Sequence, residues 1–282
     1  MIRKYLNYNR PFEGAAPDAS YALEKDGHVI LPGVFDSASI TALREEIEGV
    51  FDLLPGDERL GCMDEARKAM FRYEMFNRSA LAQQALSHPR MLEVVEPLLG
   101  DDCHVIANTV WRNPADREHA PNGQQWHVDG GPYLARPPGT PWPENIDYPI
   151  FVITAHVYLE AVGIADGPTA VLPGSHRSGG LPPHERMWDT DLTYEGRVGE
   201  MHLVEPGDVS MFVSDTWHRR MPLLEDNTGR FFMQVVYARR EIAQRIVPSE
   251  RCNPASAEAR ERAQSLRERQ LIGIHDPGFY DG

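Results

Sequence analysis

Cysteine is scarce in this chain. Three residues in 282, Cys62, Cys103 and Cys252, stand far apart, odd in number and without a CxxC pair. That excludes a disulfide scaffold and a zinc–thiolate site, and it suits a reducing compartment. Long apolar runs are also missing, since nothing approaches the ~18 residues needed to cross a bilayer. The opening "MIRKYLNYNRPFEG" has no apolar centre, so no secretory leader is expected. Positive charge is outnumbered: 28 Lys and Arg against 42 Asp and Glu give a formal net charge of −14. Surfaces that follow phosphates need clustered cations, so neither nucleic acid nor an anionic membrane is an expected partner. There is no internal repeat and no low-complexity stretch. The expectation is a globular, cytoplasmic protein, 41% hydrophobic and 25% charged.

The elements come in two blocks. Residues 1 to 20 are polar and carry Pro11 and Pro17, which reads as an arm. "GHVILPGVF" (27 to 35) is a short apolar strand stopped by Pro-Gly. In "DSASITALREEIEGVFDLL" (36 to 54), Asp36 or Ser37 can cap a helix in which Ile40, Leu43, Ile47, Val50 and Phe51 recur at helical spacing. Residues 55 to 80 are mixed helix and loop, and "PRMLEVVEPLLG" (89 to 100) is a second amphipathic helix ending at Gly100. From 103 onward the runs are β-rich: 104 to 111, 151 to 162, 169 to 174, 201 to 213 and 230 to 238, separated by Gly, Pro, Asp and Asn. "ASAEARERAQSLRERQL" (255 to 271) reads as one polar, peripheral helix. The fold class is therefore α+β, mainly β, with a sandwich or barrel as its body. One domain is expected over 1–282, with a helical N-terminal part at about 24–100 and a β core at about 103–240.

The chemistry centres on "QQWHVDGGPY" (124 to 133). Alternation in an extended segment puts His127 and Asp129 on one side. Either they form a structural hydrogen-bonded pair or they are two of the three ligands, two imidazoles and one carboxylate, of an iron(II) site. Downstream His156, His176, His184, His202 and His218 compete for the third place. His218 ends the apolar run that "PGD" launches, and Arg230 opens the next run one polar turn later, so a hairpin can bring the two together. Arginine at the mouth of an apolar strand calls for an anion, and its planar fork suits a carboxylate. An ion pair to Glu225 or Asp226 is the plain alternative.

Taken together, "HVD" (127 to 129), "DGPTAVLPGSHRSG" (166 to 179), "PGDVSMFVSDTWH" (206 to 218) and Arg230 resemble the phytanoyl-CoA dioxygenase family of iron(II)/2-oxoglutarate oxygenases. "EKDGHVILPGVFDSASITALREEIEGVF" (24 to 51) is similar to that family's opening strand and helix. The resemblance runs from about 24 to 238. It implies a double-stranded β-helix, or jelly roll, with flanking helices. It implies Fe(II) on His127, Asp129 and His218, and 2-oxoglutarate with its far carboxylate on Arg230. O2 is the oxidant and ascorbate an auxiliary reductant. It also implies an enzyme that hydroxylates an unactivated C–H of a small molecule, with desaturation, epoxidation or cyclisation as variants. A zinc hydrolase on the same ligands, or a non-catalytic binding protein, is the contrasting reading.

Around the centre, Val152, Thr154, His156 and Tyr158 share one strand face. His156 stands where relatives often carry an aromatic residue beside the co-substrate, and Asn108 is a further pocket candidate. Many relatives carry a hydroxyl residue two positions after the distal histidine, where this chain has Arg220; either Arg220 enters the pocket, or it turns away and another group substitutes, with Thr154 and Tyr158 as candidates. Gly130 and Gly131 would let the chain turn sharply beside the metal. His176 reads as structural. Tyr133, Arg136, Trp142, Arg186 and Trp188 lie in or near loops expected at the pocket mouth.

Overall fold

The computed structural model of the protein describes residues 17–53, 70–115, 121–129, 134–137, 140, 142–143, 145–244 and 255–276. In chain order the strands are β1 His28–Leu31, β2 Phe71–Tyr73, β3 His104–Asn113, β4 Val152–Tyr158, β5 Thr169–Val171, β6 Thr193–Tyr194, β7 Arg197–Val198, β8 Glu200–Met201, β9 Val209–Val213, β10 His218–Arg220 and β11 Arg230–Ala238. The helices are α1 Asp18–Asp26, α2 Ser37–Leu53, α3 Met75–Arg78, α4 Ala80–Ala85, α5 Pro89–Leu99, α6 Ala257–Arg262 and α7 Leu266–Leu271.

A six-stranded antiparallel sheet runs β1-β9-β4-β11-β3-β2, and a smaller sheet runs β10-β5-β8. The architecture is the expected mainly-β jelly roll with flanking helices, and its sheets do not close into a barrel. Alternation along the central strands decides what goes where. Ile153, Ala155 and Val157 of β4, with Phe231, Met233, Val235 and Tyr237 of β11, enter one large core with the helices. Thr154, His156 and Tyr158, with Arg230, Phe232 and Gln234, therefore point to the opposite face. From α2, the expected Ile40, Leu43, Ile47, Val50 and Phe51 are all buried in the same core. Each such side chain contributes about 1.5–3 kcal/mol by leaving water.

Three sequence expectations need correction. The polar arm gives way at Asp18 to α1, whose end is set by Gly27 at φ 82° and whose Leu23 is fully buried. A nine-residue helix with one dominant apolar position offers too few repeats for a period to show. The 201 to 213 run is two strands in two sheets: Glu200–Met201 pairs with β5, and Val209–Val213 lies between β1 and β4. The turn at Pro206, Gly207 and Asp208 separates them. Finally, 255 to 271 is two short helices. Ser265 starts the second with a capping box to Glu268. Nor is it peripheral, because Ala255, Ala259, Ala263 and Leu271 lie in the main core.

Candidate metal centre and its cavity

The segment carrying His127 is fastened to the free edge of β10. His127 N–H donates to His218 O and His218 N–H to His127 O, both at 2.9 Å. This antiparallel bridge sets the two imidazoles side by side, ring centres 4.3 Å apart. Gly123 permits the approach: its φ is 72°, and a Cβ there would sit 2.2 Å from Arg220 O. Two residues beyond His127, Asp129 N–H donates to Ser214 O at 3.0 Å. One ligand atom each from His127, Asp129 and His218 lies within 4.8 Å of the others.

Second contacts fix how each group points. His127 Nδ1 lies 2.7 Å from Gln125 O, and His218 Nδ1 lies 2.9 Å from Thr216 O. A carbonyl only accepts, so both rings donate through Nδ1 and aim Nε2 towards the shared point. Thr154 Oγ1 donates to Asp129 Oδ2 at 3.1 Å, while Asp129 Oδ1 faces His218 Nε2 at 3.5 Å. Burial alone would raise the Asp129 carboxyl, but His218, His127 and His156 together hold it well below the ordinary carboxylate range. Burial and then the neighbouring His218 lower His127, which keeps that imidazole neutral. Burial also lowers His218, but the Asp129 carboxylate more than reverses it and raises the group.

These ligands line a cavity of about 770 Å³ that Arg230 also enters from the larger sheet. Arg230 is buried, 7% exposed, and its partners are all neutral: Nε donates to Asn113 Oδ1 at 3.0 Å, and Nη1 to Gly167 O at 3.2 Å and Thr169 Oγ1 at 3.5 Å. It makes no ion pair with Glu225 or Asp226. Burial, followed by the charge of Arg220, brings its guanidinium down to about 9. The hydroxyl-bearing Thr169 therefore reaches Arg230 from the register position opposite Arg220. His156 lines the same cavity, packed 4.5 Å from the ring of Phe232, and burial followed by the Arg230 charge lowers it to about 3.

Asn108 is not brought to the cavity. Its register partner Val235 faces the helices, whereas Thr109, opposite Gln234, is on the cavity face and donates to Gln234 Oε1 at 3.0 Å. Thr154 holds the Asp129 carboxylate and does not line the cavity itself. Among the loop candidates, Trp188 lines the cavity, as does Arg220 of β10, while Trp142 belongs to a second depression beside Tyr148. Arg186 pairs with Asp189 at 2.9 Å, and Arg136 lies over Trp142. Gly130, Gly131 and Tyr133 lie outside the described residues. His176 stays apart from the metal centre and donates through Nε2 to Glu24 O at 3.0 Å. Trp111, Asn113 and Gln234 also line the cavity, and sequence reasoning missed them. Only the register of β3 against β11 selects them, and no local pattern encodes it.

The model of the phytanoyl-CoA dioxygenase (PhyH) family matches residues 23–220, most of the chain. The chain belongs to this family. Of the centre's residues, the match contains His127, Asp129 and His218 and stops short of Arg230. A curated relative, dioxygenase cdmD of Talaromyces verruculosus, is 23% identical over 218 residues, 70% of this chain. That region spans 65% of the relative's own length, just under two thirds. Solved structures that share the fold include HygX and SnoN. HygX from Streptomyces hygroscopicus, with nickel and 2-oxoglutarate bound, superposes with a TM-score of 0.59 at 17% identity, covering 80% of this chain and 88% of that one. SnoN, a non-heme alpha ketoglutarate dependent epimerase from nogalamycin biosynthesis, gives 0.57 at 18% identity, with 85% and 92% covered. Among the described residues of this family member, no helix is long and apolar enough to cross a membrane.

Proposed function

We propose that the protein is an iron(II)- and 2-oxoglutarate-dependent oxygenase that hydroxylates an unactivated C–H of a small molecule. The observation that carries this reading is the pairing, in one cavity, of a His-Asp-His cluster with a buried arginine whose recorded partners are all neutral. Two imidazole nitrogens and one carboxylate, with both Nδ1 atoms committed elsewhere, are the donor set of a facial iron site. Arg230, with Asn113 and Thr169 beside it, presents a guanidinium to which a carboxylate is the natural complement. The residues present thus fit both groups. A zinc hydrolase on the same ligands would leave Arg230 without a role.

When bound, iron and 2-oxoglutarate supply the oxidising chemistry, turning the co-acid into succinate and carbon dioxide. The chain's own part is placement. His127 and His218 offer Nε2 atoms fixed by their carbonyl contacts, and Thr154 orients Asp129. Arg230 would hold the far carboxylate, and His156, kept neutral by its burial, leaves the cavity wall uncharged between them.

Three variants test the proposal together. His127→Ala and His218→Ala should each lose iron and oxygen-dependent succinate formation, whereas His176→Ala should keep its iron. A product heavier by one oxygen atom would identify hydroxylation. An unchanged product skeleton with altered stereochemistry or a lost hydrogen pair would redirect the chemistry without touching the cofactors. Substrate turnover without oxygen would overturn the reading in favour of a hydrolase.

A further inference from the structure

The loop at residues 187–189 is tied to the metal-bearing strands by its backbone. Met187 O accepts from Trp126 N–H at 2.7 Å, Trp188 O accepts from Arg219 Nη1 at 2.9 Å, and Asp189 O accepts from the Trp126 indole at 2.6 Å. Trp126 immediately precedes His127, and Arg219 immediately follows His218. Both are buried, and the Arg219 guanidinium lies 5.7 Å from the Trp126 ring. Arg186 closes the loop on itself through Asp189. Three successive carbonyls are thus held by residues adjacent to the two histidine ligands. The side chain so placed, Trp188, remains 53% exposed at the wall of the metal cavity.

A large aromatic side chain left in water on a backbone this well anchored is an unfilled contact. At about 770 Å³ the cavity is also larger than a five-carbon co-acid needs, within the roughly 300–1,000 Å³ of sites for drug-sized ligands. Its electrostatics are one-sided. Among the described residues lining it, Asp129 is the only carboxylate, against Arg219, Arg220 and Arg230. The remaining polar groups at the wall include the neutral amides of Gln124, Gln125 and Gln234.

We infer that the substrate is a ring-bearing molecule, uncharged or anionic, whose ring stacks on Trp188 while its polar substituents meet these side-chain amides. Cationic substrates are disfavoured because, among the described residues lining the cavity, no carboxylate beyond the metal ligand is offered to them. The inference rests on the oxygenase reading for which face of the cavity the substrate approaches.

The test uses full-length protein loaded with Ni(II) and 2-oxoglutarate, so that nothing turns over. Calorimetric titrations with cinnamyl alcohol, cinnamate and cinnamylamine compare three charges on one ring skeleton, and octanoate supplies a carboxylate without a ring. Cinnamyl alcohol and cinnamate should bind, and Trp188→Ala should weaken both about fivefold or more, the size of an aromatic stacking contact. Trp188→Phe should recover most of that loss. Cinnamylamine should bind at least about tenfold more weakly than the alcohol, the scale of one unpaired charge at a partly desolvated site. Octanoate should bind the wild type and Trp188→Ala alike. If none of the ring compounds binds in the millimolar range, if Trp188→Ala binds them as the wild type does, or if the amine binds best, the inference fails. The preceding titration of 2-oxoglutarate reports on the oxygenase reading separately: loss of that binding would sink the reading, whereas its presence with failed ring binding would sink only the ring.

Discussion

At the scale of single residues, the centre depends on groups that orient the ligands as much as on the ligands. Thr154 is the clearest case, because its hydroxyl is the hydrogen bond that the structure gives to Asp129 Oδ2, from the sheet opposite the two histidines. Removing an outer partner of this kind commonly costs metal affinity about 10- to 100-fold. Thr154→Val, of nearly the same shape, should therefore weaken Fe(II) binding by that factor in a chelator competition, and Thr154→Ser should restore it. Equal affinity in all three proteins would show that the backbone alone fixes Asp129. Part of this was legible beforehand. His127 and Asp129 two apart, a histidine at the end of an apolar strand and an arginine opening the next one are local patterns, and the fold brings all four to one cavity. Asn108 shows the limit. Reading which side of β3 faces inward requires its register with β11. That register shifts between Val236 and Tyr237, so counting along the sequence lands one residue away from Thr109.

At the scale of elements, the turn "LPGSHRSG" acts as a bracket between the jelly roll and α1. His176 is buried beneath it, its Nε2–H donating to Glu24 O near the end of that helix. Gly27, at the same helix end, faces the ring so closely that an added Cβ would lie 2.6 Å from His176 Nδ1. Burial, with Arg177 nearby, lowers His176 to about 3. The sign follows from linkage. In the unfolded chain the imidazole takes up a proton near its ordinary value of 6.5, while the folded protein resists protonation until about 3. Its contribution to stability is complete above pH 6.5 and is lost progressively as pH falls towards 3. The unfolding free energy from urea titrations should thus decline on acidification across that window. His176→Gln should be less stable at pH 8 but show a shallower decline. An equally steep acid limb in the variant would assign the loss to other groups, with His156 and His202 first in line because burial lowers both. The motif itself was visible in the sequence. Its partner helix was not, because nine residues starting just past Pro17 resemble a polar arm until the buried Leu23 and the left-handed Gly27 are seen in place.

At the scale of the whole molecule, the two sheets divide the centre between them, and ligands that bridge them should couple to global stability. His127 and His218 belong to the smaller sheet and its added edge, and Thr169 to β5 of that sheet. Thr154, His156 and Arg230 come from the larger one. The division into a sheet core with helices on one side could be read from composition, since short helices precede a succession of β-rich runs. Which runs pair could not, because β9 lies between β1 and β4 and only long-range packing selects that order. A metal on His127, Asp129 and His218 would tie the smaller sheet to the Asp129–Thr154 bond, and 2-oxoglutarate reaching Arg230 would add a second tie. Each ligand at a hundred times its dissociation constant should add about 2.7 kcal/mol, which for a chain of this size raises Tm by roughly 5 °C. The expected thermal shifts are therefore stepwise: Ni(II) raises Tm, and 2-oxoglutarate raises it further only when the metal is present. In Arg230→Met the metal step should persist and the 2-oxoglutarate step should shrink to a small remainder, because chelation survives while the carboxylate contact is gone. A full second step in Arg230→Met would place the far carboxylate elsewhere, with Arg220 the next group to replace.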